Sequence, residues 1–481
     1  MIEENISIHS NYTLEVKLGF IPEKERKQSR FAVNFWLFIP PNLDIHAATY
    51  EKKDFYRDVK SNIRLITPVF TLTEIIESQS SPLLKLEHSV PSLINATTTE
   101  KDNFEHHTRM FLSVVKSALR NVVLAISNPK PFNKTAPKVE ELIDQLNTIV
   151  SRYRRLEQYI AAKAIDPKIN NYYHIGDEYL SNVIEYNCFR LMKALQHKSD
   201  FAAQMRALSS LIEDELRYKK SKGMLTVDRD SADHNRAFVK RLGYLKKYAE
   251  NVLFVSATKK RGSVLKQQLY YSLAAGISMV FATAVAFSFQ RTYGNFTMPF
   301  FVALVVSYML KDRIKELGRY YFAHKSGSGY FDLKTKISLN SINFAKSKEA
   351  MDFIEEHKVP RAVLQKRGRP ALSANENNMH TESILLYRKL LTLNRQKLNK
   401  CSDYALHGFH DIVRINFHQY TRMMDNPDVP LFVSDGMQHA ATVNGEKTYE
   451  IQLVLQLNEA EMHQYRLIMN RDGIKELFRE N

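Results

Sequence analysis

Two apolar runs, LYYSLAAGISMVFATAVAFSF and FTMPFFVALVVSYML, stand in tandem in the middle of the chain, separated by the six residues QRTYGN. Leu269–Phe289 is 21 residues without a charge; as a helix it covers roughly 31 Å, the thickness of a hydrocarbon core. Phe296–Leu310 has only 15. It covers roughly 22 Å and spans only by borrowing Tyr293 and the stem of Lys311, or by local thinning. Neither run has a hydrophilic face, so burying both in a soluble core is harder than placing them in lipid. The expectation is a transmembrane helical hairpin with spans at about 269–289 and 294–312.

Charges then orient it. Lys259, Lys260, Arg261 and Lys266 precede the first run, Lys311, Arg313, Lys315, Arg319 and Lys325 follow the second, and the loop holds only Arg291. The positive-inside rule places both flanks, and with them both termini, on the cytoplasmic side of a plasma or bacterial inner membrane. QRTYGN becomes the outer tip. Small residues recur along the first run as Ala274, Ser278, Ala282 and Ala286, and on the next ridge as Ser272, Gly276, Ala284 and Ser288 with Val280. Such ridges let membrane helices approach closely. One ridge can receive the second run through Ala303 and Ser307; two exceed what one short partner needs, so self-association is expected through Ala274, Gly276, Ser278, Ala282 and Ala286. Nothing ionisable lies within either run, which argues against an ion path along them.

The rest of the chain reads as a soluble protein. With 481 residues there is room for two or three domains, and 68 Lys and Arg against 52 Asp and Glu give a net charge of +16. That excess favours anionic partners: lipid headgroups, an acidic protein or nucleic acid. Cys188 and Cys401 lie far apart, which speaks against a disulfide framework and for a reducing compartment. MIEENISIHS has acidic residues where a signal peptide needs basic ones.

The fold class expected is a mixed α and β membrane-anchored protein. Residues 1–100 open with a β-hairpin of YTLEVKLGF and FAVNFWLFI, whose second arm is apolar on both faces, and continue into helices such as YEKKDFYRDVKSNIRLITP. Residues 101–257 show the three-to-four spacing of a bundle of about four helices, followed by a helix from about 236 that runs toward the membrane. The hairpin occupies 258–325, and KSGSG forms a joint after it. Residues 326–481 read as a cytoplasmic α+β domain: strands in FDLKTKISL, DIVRINFHQY, HAATVNGEKTYEIQLVLQL and QYRLIMN, a hairpin turn at Asn444-Gly445, helices near 341–357 and 381–400, and a closing helix RDGIKELF.

Candidates for chemistry are few. The chain has no Walker loop, dinucleotide fingerprint, zincin motif or paired CxxC. HGFHD brings His407, His410 and Asp411 together as a candidate metal set, against the alternative of ordinary residues capping a strand. Asp435 with Glu450 and Gln452 resembles the layout of restriction-type nucleases, but a solvated strand face explains the spacing adequately. KRGRP, with Arg367 and Arg369, carries the core of a minor-groove hook; an ordinary basic surface loop accounts for it better, and contact with phosphates of lipid or nucleic acid is the lesser alternative. With Lys259, Lys260, Arg261, Lys311 and Arg313, these two arginines are the candidate contacts to an anionic surface. The expectation is a non-enzymatic, oligomeric, two-span membrane protein without a cofactor, a scaffold or sensor for cytoplasmic protein partners. The alternatives are a membrane-disrupting or pore-forming effector gated by its cytoplasmic domains, and a membrane-surface metal-dependent enzyme such as a nuclease.

Overall fold

The alternating segments at the start of the chain form strands, but most of their partners come from the other end of it. The structure, a computed structural model, describes residues 1–481 apart from 24, 95, 128–134, 162–165, 197–200, 263, 295–296, 326–330, 369–381, 435–439 and 481. In chain order its elements are β1 (Ile2–Ser10), β2 (Thr13–Phe20), β3 (Gln28–Ile39), α1 (Lys52–Asp58), β4 (Val59–Leu65), α2 (Leu72–Glu77), α3 (Pro82–Ser89), α4 (Thr98–Ser127), α5 (Thr135–Arg155), α6 (Glu157–Ile160), α7 (Pro167–Leu195), α8 (Ala202–Ser221) and α9 (Ala232–Glu250). There follow β5 (Ser256–Arg261), α10 (Val264–Tyr293), α11 (Met298–Lys325), β6 (Leu333–Leu339), β7 (Ile342–Ile354), α12 (Arg361–Arg367), β8 (Ser383–Asn394) and α13 (Arg395–Asn399). The chain closes with β9 (Phe409–Asn416), β10 (Asp428–Ser434), β11 (Ala440–Glu446), β12 (Tyr449–Leu457), β13 (Glu461–Asn470) and β14 (Gly473–Glu480). Two compact units result: residues 1–63, 255–401 and 408–481 in one, 64–254 and 402–407 in the other.

In the first unit, a four-stranded sheet β1-β2-β9-β4 faces an eight-stranded sheet β14-β13-β12-β3-β8-β7-β6-β5. Their inner faces meet through ring pairs such as Phe20–Phe31 at 5.3 Å and Phe344–Phe409 at 6.0 Å. The expected hairpin of β2 with β3 does not form: β2 pairs with β1 and β9, while β3 lies between β12 and β8. Its double-sided apolarity explains this, because a strand of that kind is stable only with both faces covered. Phe31, Val33, Phe35, Leu37 and Ile39 fill the space between the sheets, and Trp36 and Phe38 pack with Val359, Val363, Ile384, Leu386 and Val454 under α12. The N-terminal and C-terminal strands, expected in separate domains, thus share both large sheets.

Several local expectations are corrected. Residues 341–357 and 381–400 are mainly the strands β7 and β8, buried runs whose periodicity does not separate strand from helix. RDGIKELF is the edge strand β14 rather than a helix, and only the first part of YEKKDFYRDVKSNIRLITP is helical, the rest being β4. Asn444-Gly445 is no turn: the pair sits inside β11, opposite Pro430 and Val429 of β10. Gly445 serves close approach there, since a Cβ would come 2.8 Å from Leu431 Cδ1. A two-residue turn with both φ positive is found instead at Asn340-Ser341 between β6 and β7, with φ of 47° and 65°. The joint at 326–329 lies outside the described residues.

The second unit is a helical bundle. Phe111 of α4, Tyr153 of α5 and Tyr173 of α7 stack at 5.4 and 5.2 Å in its centre. α7 buries Asp177, Ser181, Asn182 and Glu185 as well as apolar residues. Burial of these groups is stable because its neighbours bring the counter-charges. Arg154 forks onto Glu215 at 2.8 and 3.0 Å and reaches Asp177 and Ser181, and the fully buried Lys219 meets Asn182 at 2.9 Å and Glu185 at 2.6 Å.

Gly176 of α7 leaves no room for a Cβ beneath the Tyr153 hydroxyl, which is itself held by the Tyr173 carbonyl at 3.0 Å. Gly176→Ala should therefore destabilise the bundle by about 1–3 kcal/mol through overpacking, read as a lower denaturant midpoint, although alanine is the better helix former.

Candidate functional site

Two helices are long and apolar enough to cross a membrane by length and composition: α4, whose apolar window is 56% buried inside the bundle, and Gln268–Tyr293 of α10, of which 11% is buried. The two differ in exposure. The main packing partner of α10 among the described residues is α11, while Leu269, Leu273, Ile277, Val280 and Phe287 are more than half exposed, as are Phe301, Val302, Tyr308 and Met309 of α11. Exposed apolar surface on this scale marks an interaction with lipid or protein.

The seam between the helices is built from small residues. Ala274 and Ser278 of α10, and Ala303 and Ser307 of α11, are buried. Ala282 and Ala286 are half-buried on the same side; Gly276 and its ridge are exposed, with open space where a Cβ would stand. A Cβ on Gly318 would come 2.9 Å from Ala274 Cβ, and Arg319 lies over the Tyr271 ring at 5.4 Å. These two rungs set the register. At 1.5 Å per residue in both helices, Lys311 comes level with about Phe281, and Arg291 level with about Phe301.

The two apolar runs are therefore side by side over only part of their length, about 282–289 against 303–310. Lys311, Asp312, Arg313, Lys315, Glu316 and Arg319 flank the uncharged segment of α10 from Tyr271 to Phe281. The zone free of charge on both helices is about ten residues, or ~15 Å, half a hydrocarbon core. Were all of Leu269–Phe289 set in lipid, the five charged residues from Asp312 to Arg319 would lie at its level, each at ~2.5–3.5 kcal/mol on insertion scales if dry.

Both ends of the hairpin root in one sheet edge. β5 and β6 are antiparallel neighbours, Arg261 opposite Leu333, and the Gly262 amide donates to the Asp332 carbonyl at 2.9 Å. The expected helix leading into the membrane ends at Glu250, so Lys259, Lys260 and Arg261 are exposed on an edge strand, where charge also blocks further pairing. The Asp332 carboxylate accepts from Lys52 Nζ at 2.9 Å, Tyr56 Oη at 3.0 Å and the Met351 amide at 2.9 Å. Lys52 also reaches Asp352 at 3.0 Å, which pairs with Arg388 at 3.2 Å.

Deeper in the same unit lies an ionic cluster that the sequence reading did not anticipate. Glu349 of β7 and Lys389 of β8 are direct cross-strand partners with their side chains 3.3 Å apart. The same ammonium meets the Asp411 carboxylate of β9 on the opposite sheet. Asp411 also accepts from Ser61 of β4 at 2.6 Å. Lys389 and Asp411 have no exposed side-chain surface. Burial pushes the Glu349 carboxyl up, but Lys389 and Lys259 outweigh it, and its pKa falls below the usual carboxylate value. Burial likewise disfavours the Lys389 ammonium, yet Asp411 and Glu349 win and raise its pKa. A charged residue in the apolar run ILLYRKLLTL was the available signal; reading it as a helix hid its partner.

The sequence candidates do not converge on a catalytic centre. His410 and Asp411 are neighbours on β9 and project to opposite faces; Asp411 is taken up by Lys389 and Ser61, and His407 is an exposed loop residue. Among the described residues, no group of three His, Cys, Asp or Glu could hold a metal ion. Glu450 is exposed and paired with Arg466 at 3.4 Å, Gln452 is buried against Gln464 at 3.2 Å, and Asp435 lies outside the described residues. Arg367 is not a surface residue. It is 5% exposed, ion-paired with Glu382 and placed over the Phe38 ring at 5.1 Å, because α12 lays its last turn on the sheet. Arg369 falls outside the described residues. Arg313 pairs with Glu316 at 3.4 Å and Lys311 stands over the Tyr308 ring at 3.7 Å.

Lys389→Met should cost about 3–5 kcal/mol by leaving two buried carboxylates without their cation, and Lys389→Met with Asp411→Asn should recover part of it in urea unfolding. The pH dependence has two edges. Glu349 contributes stability fully above its ordinary value of 4.5, lost as pH falls through its lower folded value. Lys389 contributes fully below 10.5, lost as pH rises through its higher folded value.

Compared with known protein families, curated proteins and solved structures, the chain matches none.

Proposed function

We propose that the α10–α11 hairpin anchors this protein in a lipid bilayer, and that its two globular units work on one side of it, self-associated, as a non-enzymatic scaffold or sensor for protein partners. The observation that carries this is the exposed apolar surface of a hairpin whose two ends leave the same sheet edge. A chain that departs and returns between adjacent strands keeps both flanks on one side. The basic residues at the root, Lys259, Lys260 and Arg261, favour the cytoplasmic face of a plasma or bacterial inner membrane. No cofactor is part of this reading.

A second reading, a membrane-disrupting or pore-forming effector, is favoured by the offset that sets charged α11 beside apolar α10. It shares the anchor and differs in what the hairpin does.

Because β5 and β6 are neighbours, the hairpin can be replaced by a short turn joining Gly262 to Phe331. Full-length protein should stay with the membrane pellet in alkaline carbonate, and the shortened protein should appear in the supernatant with its secondary structure intact by circular dichroism. Release of the full-length protein by carbonate, or retention of the shortened one, would refute the anchor.

A further inference from the structure

The offset between the two helices has a physical consequence if lipid surrounds them. At the tip, Gln290, Arg291 and Thr292 are polar, Gly294 leaves the helix with φ of 74°, and the first turn of α11 from Met298 presents amides without intrahelical acceptors. Such groups are not tolerated in hydrocarbon, so the tip has to reach the far headgroups. Leu269–Phe289 of α10, at roughly 31 Å, has the length to take it there. But the rungs Ala274–Gly318 and Tyr271–Arg319 then carry Lys311 to Arg319 into the near half of the bilayer. Asp312, Arg313, Glu316 and Arg319 are exposed, and Arg319 lies over the Tyr271 ring of α10. Ionisable groups at such depth face a protein interior or a water-filled cavity.

We propose that copies of this chain assemble with the Lys311–Arg319 segments of α11 facing one another across an aqueous vestibule, open toward the globular units, while Leu269, Leu273, Ile277 and Val280 of α10 face lipid. One hairpin has no means of enclosing water, so the other wall is a further copy. Four basic residues against two acidic ones in this segment give each copy an excess of two positive charges, and the vestibule favours small anions over cations. Beyond it, Val302, Val305, Val306 and Met309 of α11 carry no charge, and they form an apolar constriction toward the far side. The proposal rests on the membrane anchor, which the experiment tests separately.

Both native thiols are buried, so single cysteines introduced into the full chain can be read with a charged, membrane-impermeant thiol reagent in sealed phosphatidylcholine–phosphatidylglycerol vesicles. Arg313→Cys and Glu316→Cys should react from the side of the globular units, Thr292→Cys only from the opposite side, and Leu273→Cys and Ile277→Cys at least ten-fold more slowly than Arg313→Cys. A short bifunctional reagent should join two copies through Arg313→Cys. Labelling of Thr292→Cys from the side of the globular units would mean a shallow hairpin and overturn the vestibule. So would sluggish reaction at both 313 and 316, or Arg313→Cys that never links two copies. Protein that fails to float with the vesicles would overturn the anchor itself, and the vestibule with it.

Discussion

A lysine without contact to water holds the first unit together. Lys389 reaches one carboxylate on its own sheet, Glu349, and one on the facing sheet, Asp411, which Ser61 binds from a third direction. The charges so matched come from three strands and the hydroxyl from a fourth, the whole set spread over more than three hundred residues of sequence. Desolvating them is costly, and only the complete set compensates for it. The arrangement therefore specifies how β8 and β7 lie over β9 and β4 more sharply than the surrounding aliphatic contacts can. The same strands carry Asp352 and Arg388 outward to Lys52 and Asp332 at the hairpin root. A polar path thus runs from the sandwich interior to the point where the chain leaves for α10.

The hairpin itself was legible in composition and length, but not in register. Two uncharged runs in tandem announce two apolar helices; α10 and α11 both form, but of the two only α10 is long and apolar enough to cross a membrane among the described residues. What the runs do not disclose is which residues face each other, because that is set by where small side chains permit contact. Gly318 against Ala274 places the close approach near the root instead of midway. The statement that nothing ionisable lies within either run is correct along each helix and incomplete across the pair.

Elsewhere, legibility followed the number of faces buried. Strands with one wet face, such as β2 and β9, alternate cleanly and were readable, as were the amphipathic helices of the bundle. β7 and β8 are covered on both sides over Glu349–Met351 and Ile384–Tyr387, where the period-two signature is lost, although Lys346, Lys348 and Leu390 are exposed. Pairing was the least readable feature. Asn444-Gly445 fits a turn by its chemistry, yet it fills a contact with Leu431 on β10; and β3, next to β2 in sequence, belongs with β12 and β8 because a doubly apolar strand needs both faces covered, which the facing sheet and α12 provide there. His407, His410 and Asp411 looked like a set because they are close in sequence, and strand geometry separates them.

The placement of β3 has a consequence for how the molecule is made. Its partners β8 and β12 are synthesised after α10 and α11, so the eight-stranded sheet stays incomplete until the hairpin has already left the ribosome. At about 5–20 residues per second, β3 waits roughly 20–80 s for β12. During that interval one of the most apolar strands in the chain has two open edges, while the bundle, whose helices are almost all contiguous in sequence, can fold at once. Biogenesis is thereby ordered: bundle first, hairpin next, sandwich last. A nascent chain halted after α11 carries an exposed apolar hairpin and an unpaired β3 together, which makes that stage the one most exposed to aggregation and to chaperone capture.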